Sequence, residues 1–415
     1  MYLYQTQACH PLRQLQKILV ALLLTALAAC GGSGDGDSQA NENGGQSGNS
    51  GGSGFDEKAL LLNSAKIMQG GYAKLGQSMP TLTGGINDYC SALGGVEEQA
   101  KRDVAQVAFK EAMNDLQHSL LHGIGPALDE DRMLQLYSWP LTSPCQIDLK
   151  LASNQPELNN AVNKRGMDTL EYLLFIEPAA NHSCPSDVTP VPADLLDNFN
   201  ALNAADKQAR RCAFMINVAA DAANSAVVLA DAWDAEKGNY AAGLIGTENT
   251  KEALNQVTDA MFYFEEVVKE NKLDAPLGGG ITNTTPSCGA GQPCSQDVES
   301  PHARTSKENL IANMLAFQTL YHGGDVGDSA AKGFDDWLEA EGKATLAKDF
   351  GGDVQAVITG LKGINGTLFD AVSNNIEPLN ALVLGPLQDV SKSLRFNLMP
   401  ALGLRLPAGS ESDTD

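Results

Sequence analysis

The sequence predicts an all-α protein, most simply two antiparallel helix bundles, and three observations carry that expectation. From residue 55 onward apolar residues recur at three- and four-residue spacing. Alanine and leucine are abundant, and no run of alternating β-branched residues occurs. Glycine and proline cluster where helices would end, as in Gly123-Ile124-Gly125-Pro126 and Gly323-Gly324-Asp325. In chain order the spacing predicts helices over 55–79, 96–121, 157–176, 193–233 and 247–271, then over 306–321, 330–346, 354–371 and 378–398. Between these sets lies 272–305, whose later part is rich in Gly, Pro and Ser; a loop of this length divides domains or carries function. The expected layout is an N-terminal bundle over 55–271, a loop over 272–305 and a C-terminal bundle over 306–415. A chain of 415 residues is long enough to bury two such cores.

Residues 1–29 read as an export signal. A short basic stretch (Arg13, Lys17) precedes an apolar run, Ile18 to Ala29, that is too short to remain in a bilayer as a spanning helix. The run ends in Leu27-Ala28-Ala29-Cys30, which resembles the cleavage box of bacterial lipoproteins, so Cys30 is the expected site of lipidation. An ordinary secretory signal with an unrelated cysteine is the alternative. Residues 30–54 form a Gly/Ser/Asn/Asp-rich tether with a reach of roughly 25–30 Å. Gly31 stands where an aspartate is associated with inner-membrane retention, so by analogy the expected address is the outer membrane, facing the periplasm.

Twenty-eight basic residues against fifty-one acidic ones give a net charge of −23, which excludes nucleic acid and favours cations or proteins with basic patches. With Cys9 removed and Cys30 lipidated, six cysteines remain, an even number that suggests disulfides in an exported chain. Neighbouring pairs are expected: Cys90–Cys145, Cys184–Cys212 and Cys288–Cys294. A zinc site is disfavoured because no CxxC spacing is present.

Standard catalytic patterns are missing. There is no His-Glu-x-x-His helix, no phosphate loop and no EF-hand spacing, and Gly-x-Ser-x-Gly occurs only in the tether. The informative segment is Lys164-Arg165-Gly166-Met167-Asp168-Thr169-Leu170-Glu171-Tyr172-Leu173-Leu174-Phe175. On a helix Met167, Leu170 and Leu174 share a buried face, while Asp168 and Glu171, at i and i+3, are neighbours on another. Two carboxylates so placed repel by a few tenths of a kcal/mol in water, and a hard cation reverses the sign. A solvated acidic edge beside Arg165 is the alternative reading.

This segment resembles the Gly-x-His-x-x-Glu motif of the imelysin family, continued by Tyr172-Leu173-Leu174. Tyr137-Ser138-Trp139-Pro140 and Ile147-Asp148 upstream, Ala312-Asn313-Met314-Leu315 and the terminal Leu402-Gly403-Leu404 follow the family's order across most of 55–415. The resemblance implies two helical-bundle domains and an envelope protein associated with iron acquisition, in a family classified with metallopeptidases. It implies iron or an iron-bearing ligand as cargo more firmly than proteolysis, with zinc less favoured. One departure matters: the histidine of the motif is Asp168 here. As a ligand, aspartate shifts preference from zinc toward harder cations; as a base near neutral pH it is of little use.

The expected site therefore comprises Asp168 and Glu171, with Gly166 in the motif and Arg132, Trp139 and Asp148 as wall residues. Arg132 either anchors an anionic group or pairs with Glu171. His118 and His122, at i and i+4, either chelate a metal or cap a helix C-terminus; His182, His302 and His322 receive no role. The leading expectation is a lipid-anchored envelope protein that captures iron and hands it to an envelope transport protein. A metal-dependent peptidase using the same site and a non-catalytic scaffold with an acidic face are the alternatives.

Overall fold

The computed structural model describes residues 54–185, 193–279, 287–408 and 410, and these residues contain helices and no strand. The signal, Cys30 and nearly all of the tether lie outside the described residues. The main helices are α1 (Glu57–Ser91), α2 (Glu98–Ser119), α3 (Pro144–Ala152), α4 (Gly166–Phe175), α5 (Ala204–Trp233), α6 (Thr250–Met261), α7 (Ser306–His322) and α8 (Ala344–Gly363). Short helices over Ala193–Asn200 and Phe334–Ala340 and a broken helical run over 377–401 complete the frame.

Helix α1 lies along both α2 and α5, and α4 packs across α5 and α2. Helix α7 packs on α8 and also on α2, so α2 is shared between the two groups of helices. Apolar contact is continuous from Leu60 to Leu404. Helix α5 is long and apolar enough to cross a membrane, but Phe214, Met215, Val218, Ala222 and Leu229 are buried against its neighbours.

Several boundaries differ from the sequence expectation for identifiable reasons. Helix α1 continues past Met79 through Pro80, because Leu82, Ile86 and Tyr89 extend its buried stripe and outweigh the cost of about 3 kcal/mol for an interior proline. The helix expected over 157–176 starts only at Gly166. There the backbone adopts φ +70°, and a Cβ would stand 2.5 Å from the Leu136 carbonyl oxygen, so only glycine fits. The stretch 193–233 is broken before Asn203, whose side chain accepts from the Asp206 N–H and starts a new helix. The segment expected over 247–271 runs on to Asp274, its last eleven residues in π geometry.

Two expected disulfides are corrected. Cys90 pairs with Cys212 and Cys145 with Cys184, while Cys288–Cys294 forms as expected. Antiparallel packing brings the last turn of α1 to the first turns of α5, which a preference for neighbours in sequence cannot anticipate. Three disulfides fit a chain that folds outside the cytosol.

Within 272–305, Lys272 and Leu273 are buried helical residues, and Val298, Glu299, Ser300 and Ala303 are buried at the far end.

Candidate functional site

Helix α4 is amphipathic by sequence, yet its residues from Gly166 to Leu174 are all buried. Met167, Leu170 and Leu174 meet the apolar core as expected. The other face carries Asp168 (5 % exposed) and Glu171 (2 % exposed) into a polar cluster, so the solvated-edge alternative does not hold. Arg165, its supposed neighbour, instead makes a bidentate pair with Asp221 of α5, the shortest contact being 2.7 Å.

Each carboxylate is held by two consecutive backbone N–H groups. Asp168 Oδ2 accepts from Ser138 (3.1 Å) and Trp139 (2.9 Å). Glu171 Oε1 accepts from His302 and Ala303, both at 2.8 Å. The Tyr-Ser-Trp-Pro element thus meets the α4 motif through main-chain atoms. Trp139 is half-buried, and its peptide bond to Pro140 is cis.

Around these carboxylates stand groups that the sequence reading did not assign to the site. Lys272 is fully buried; its Nζ donates to Gln117 Oε1 (2.6 Å) and Asn313 Oδ1 (2.8 Å) and lies 3.1 Å from Glu299 Oε1. The same Glu299 oxygen accepts from Gln117 Nε2 at 2.5 Å and from the Tyr137 hydroxyl. Asn313 returns its amide to the Gln117 carbonyl at 2.7 Å. The Lys272 ammonium stands 5.2 Å from the Tyr137 ring and 5.5 Å from the Tyr263 ring. Three buried oxygens have no hydrogen-bond partner: Asp168 Oδ1, Glu299 Oε2 and Tyr263 Oη.

The cluster holds three carboxylates and one ammonium in a region sealed from water. Burial, with the Glu299 charge adding, pushes the Asp168 carboxyl up to about 7 against the opposing Ser138 and Trp139 donors. Burial likewise pushes Glu171 up to about 8, opposed by the Ala303 and His302 donors and reinforced by Asp168. Burial lowers the Lys272 ammonium, and Glu299 partly restores it. Burial also raises the Tyr137 and Tyr263 hydroxyls well above the ordinary phenol, with Glu299 adding to both. Surplus negative charge here demands protons or a cation.

The remaining expected residues are distributed differently. Asp148 reaches α4 through Tyr172, whose hydroxyl donates to it at 2.8 Å, and through Ser183, so it belongs to a separate buried network. Arg132 pairs with exposed Glu130 (3.1 Å) and not with Glu171. His118 and His122 do not converge. His118 Nδ1 faces the Asn114 carbonyl on the surface, whereas His122 is buried in a 3-10 turn with both ring nitrogens unpartnered. His302 contributes its backbone N–H, and His322 Nδ1 lies 2.6 Å from Asp335 at an open cleft. Among the described residues no group of three or more His, Cys, Asp or Glu side chains is arranged to hold a metal ion. Gln117 and Asn313 had a legible signal, being amides on the apolar stripes of α2 and α7; Glu299, in a loop, had none.

Comparison with known proteins adds the following. The family model described as imelysin, peptidase M75, matches residues 68–383. An imelysin-like protein from Psychrobacter arcticum 273-4 shares the fold at 18% identity and a TM-score of 0.60, over 84% of this chain and 96% of its own. A protein from Parabacteroides distasonis ATCC 8503, described as an iron-regulated protein A precursor, shares it at 14% identity and 0.61, over 83% and 95%. No curated protein matches.

Proposed function

The chain belongs to the imelysin family, and from that premise we propose that it is an envelope protein that captures iron, or a ligand carrying iron, on the buried carboxylates around Asp168 and Glu171. The observation that carries this reading is the make-up of the cluster: the carboxyl groups of Asp168, Glu171 and Glu299 share a buried region with one ammonium, Lys272, and two of their oxygens have no hydrogen-bond partner. Carboxylate oxygens suit hard cations, and an aspartate at the motif's histidine position moves the donor set away from zinc. The paired N–H groups on Asp168 and Glu171 fix one oxygen of each, so a bound cation would meet the others without reorienting the side chains.

Capture is proposed to occur at the outer membrane, with Cys30 lipidated and the 31–54 tether holding the body off the bilayer before hand-over to a transport protein. Calorimetric titration with ferric citrate, and anaerobically with ferrous sulfate, tests the reading. Heats present in the wild type and lost in Asp168→Ala/Glu171→Ala support capture at this site. Equal heats in the two proteins favour the scaffold alternative. Incorporation of labelled palmitate by the wild type and not by Cys30→Ser tests the anchor.

A further inference from the structure

A cleft of about 320 Å³ lies among α7, α8 and the short helix Phe334–Ala340, and its volume is that of a small-molecule site. Gln318 and His322 line it from α7, Asp335 and Glu339 from the short helix, and Lys348 and Gln355 from α8. Within each helix the two residues are four or seven apart, so they share one side. The cleft has no residue in common with the cluster around Asp168 and Glu171.

Hydrogen bonds fix which atoms face a ligand there. The Thr359 hydroxyl donates to the Gln355 carbonyl at 2.8 Å, so it accepts from Gln355 Nε2 at 3.1 Å. Gln355 Oε1 in turn accepts from Gln318 Nε2 at 3.0 Å. Gln318 is only 7 % exposed, and this chain of donors leaves its Oε1 as a cleft-lining acceptor with no donor among the described residues. His322 Nδ1–H donates to Asp335 Oδ2 at 2.6 Å, so the neutral imidazole presents Nε2 as an acceptor. That nitrogen lies beside Gly351, a lining position with no side chain to cover it. Glu339 and Lys348 are both exposed along the cleft, and no ion pair joins them. Apart from the Lys348 ammonium, the uncommitted polar atoms are all acceptors.

We propose that this cleft binds a small ligand through a primary ammonium shared by the Glu339 carboxylate, His322 Nε2 and Gln318 Oε1. An ammonium has three donors and no acceptor, one for each of these atoms. Asp335 and Glu339 set two carboxylates against the single charge of Lys348, which favours a cation. Lys348 in turn suits a carboxylate elsewhere on the ligand, so a diamine and a basic amino acid share the recognised chemistry. Binding makes and breaks no covalent bond.

The test is equilibrium dialysis of the purified chain at about pH 8, above the ordinary imidazole range, with labelled cadaverine and labelled L-lysine. Both should bind, and unlabelled pentanediol, of cadaverine's length but uncharged, should displace neither. Glu339→Gln, at an exposed position, should weaken cadaverine about 10-fold, as expected for the loss of one charged hydrogen bond. Gln318→Met keeps the side-chain length, deletes the carbonyl and should weaken cadaverine about 5-fold; its melting temperature reports separately on the lost bond to Gln355. L-lysine weakened by Lys348→Ala while cadaverine is retained assigns an amino acid, and equal retention of both assigns a polyamine; either result upholds the ammonium site. No binding of either amine by the wild type, displacement by pentanediol, or affinities unchanged in both Glu339→Gln and Gln318→Met overturns it. Asp168→Ala/Glu171→Ala should bind the amines as the wild type does, which keeps this result separate from the iron titration.

Discussion

Replacing Lys272 by methionine keeps the aliphatic stem and deletes the ammonium of the buried cluster. That ammonium contacts Gln117 Oε1 at 2.6 Å, Asn313 Oδ1 at 2.8 Å and Glu299 Oε1 at 3.1 Å. Charged hydrogen bonds contribute roughly 1.5–3 kcal/mol each, but removing an ammonium from water offsets much of that gain. What is left behind decides the outcome. Glu299, 2 % exposed, retains Tyr137 and Gln117 as donors and loses its counter-charge. Breaking a buried pair from one side costs about 3–5 kcal/mol. In urea unfolding at pH 7, with disulfides intact, the midpoint should fall by roughly 1.5–2.5 M for a slope of about 2 kcal/mol/M. Lys272→Met/Glu299→Gln removes both charges and should recover most of the loss, giving a coupling energy of about 2 kcal/mol or more. A single variant that loses under about 1 kcal/mol, or a double variant no better than the single, would refute the pairing argument.

Other predictions use different parts of the molecule. Burial lowers His122 to about 3, so the folded state holds it neutral while the unfolded chain titrates near 6.5. Its contribution is present above about pH 6.5 and is lost as pH falls toward 3, at up to about 1.4 kcal/mol per pH unit; His122→Leu should flatten this slope in urea midpoints measured from pH 7 to 4. Tryptic mapping without reduction should recover the Cys90 peptide joined to the Cys212 peptide, and Cys90→Ala/Cys212→Ala should lower stability by about 2–5 kcal/mol; a Cys90–Cys145 linkage would refute the helix register. Asp168→His, which restores the family motif, should weaken ferric binding and strengthen zinc binding in parallel titrations, and unchanged preference would remove hardness as the role of Asp168.

The helices were legible in the sequence because each must bury one stripe, and a stripe leaves a period in the residues that form it. The buried Met167/Leu170/Leu174 face and the carboxylate spacing of Asp168 and Glu171 were legible for the same reason, all within one turn or two of chain, whereas Gly166 was legible only through the family motif. Caps and π geometry moved boundaries where a local bond competed with the period, as at Asn203 and before Asp274. What surrounds Asp168 and Glu171 was decided elsewhere. Gln117, Lys272, Glu299 and Asn313 come from four separate segments, and only the packing of α2, α4 and α7 with the 264–274 helical segment brings them together. The disulfide partners followed the same packing, Cys90 and Cys212 being 122 residues apart. Local chemistry sets periodicity and turns, so one stretch of sequence contains it. Burial, counter-charge and unpartnered oxygens depend on which distant surfaces exclude water together, and that is fixed only when the whole chain has folded.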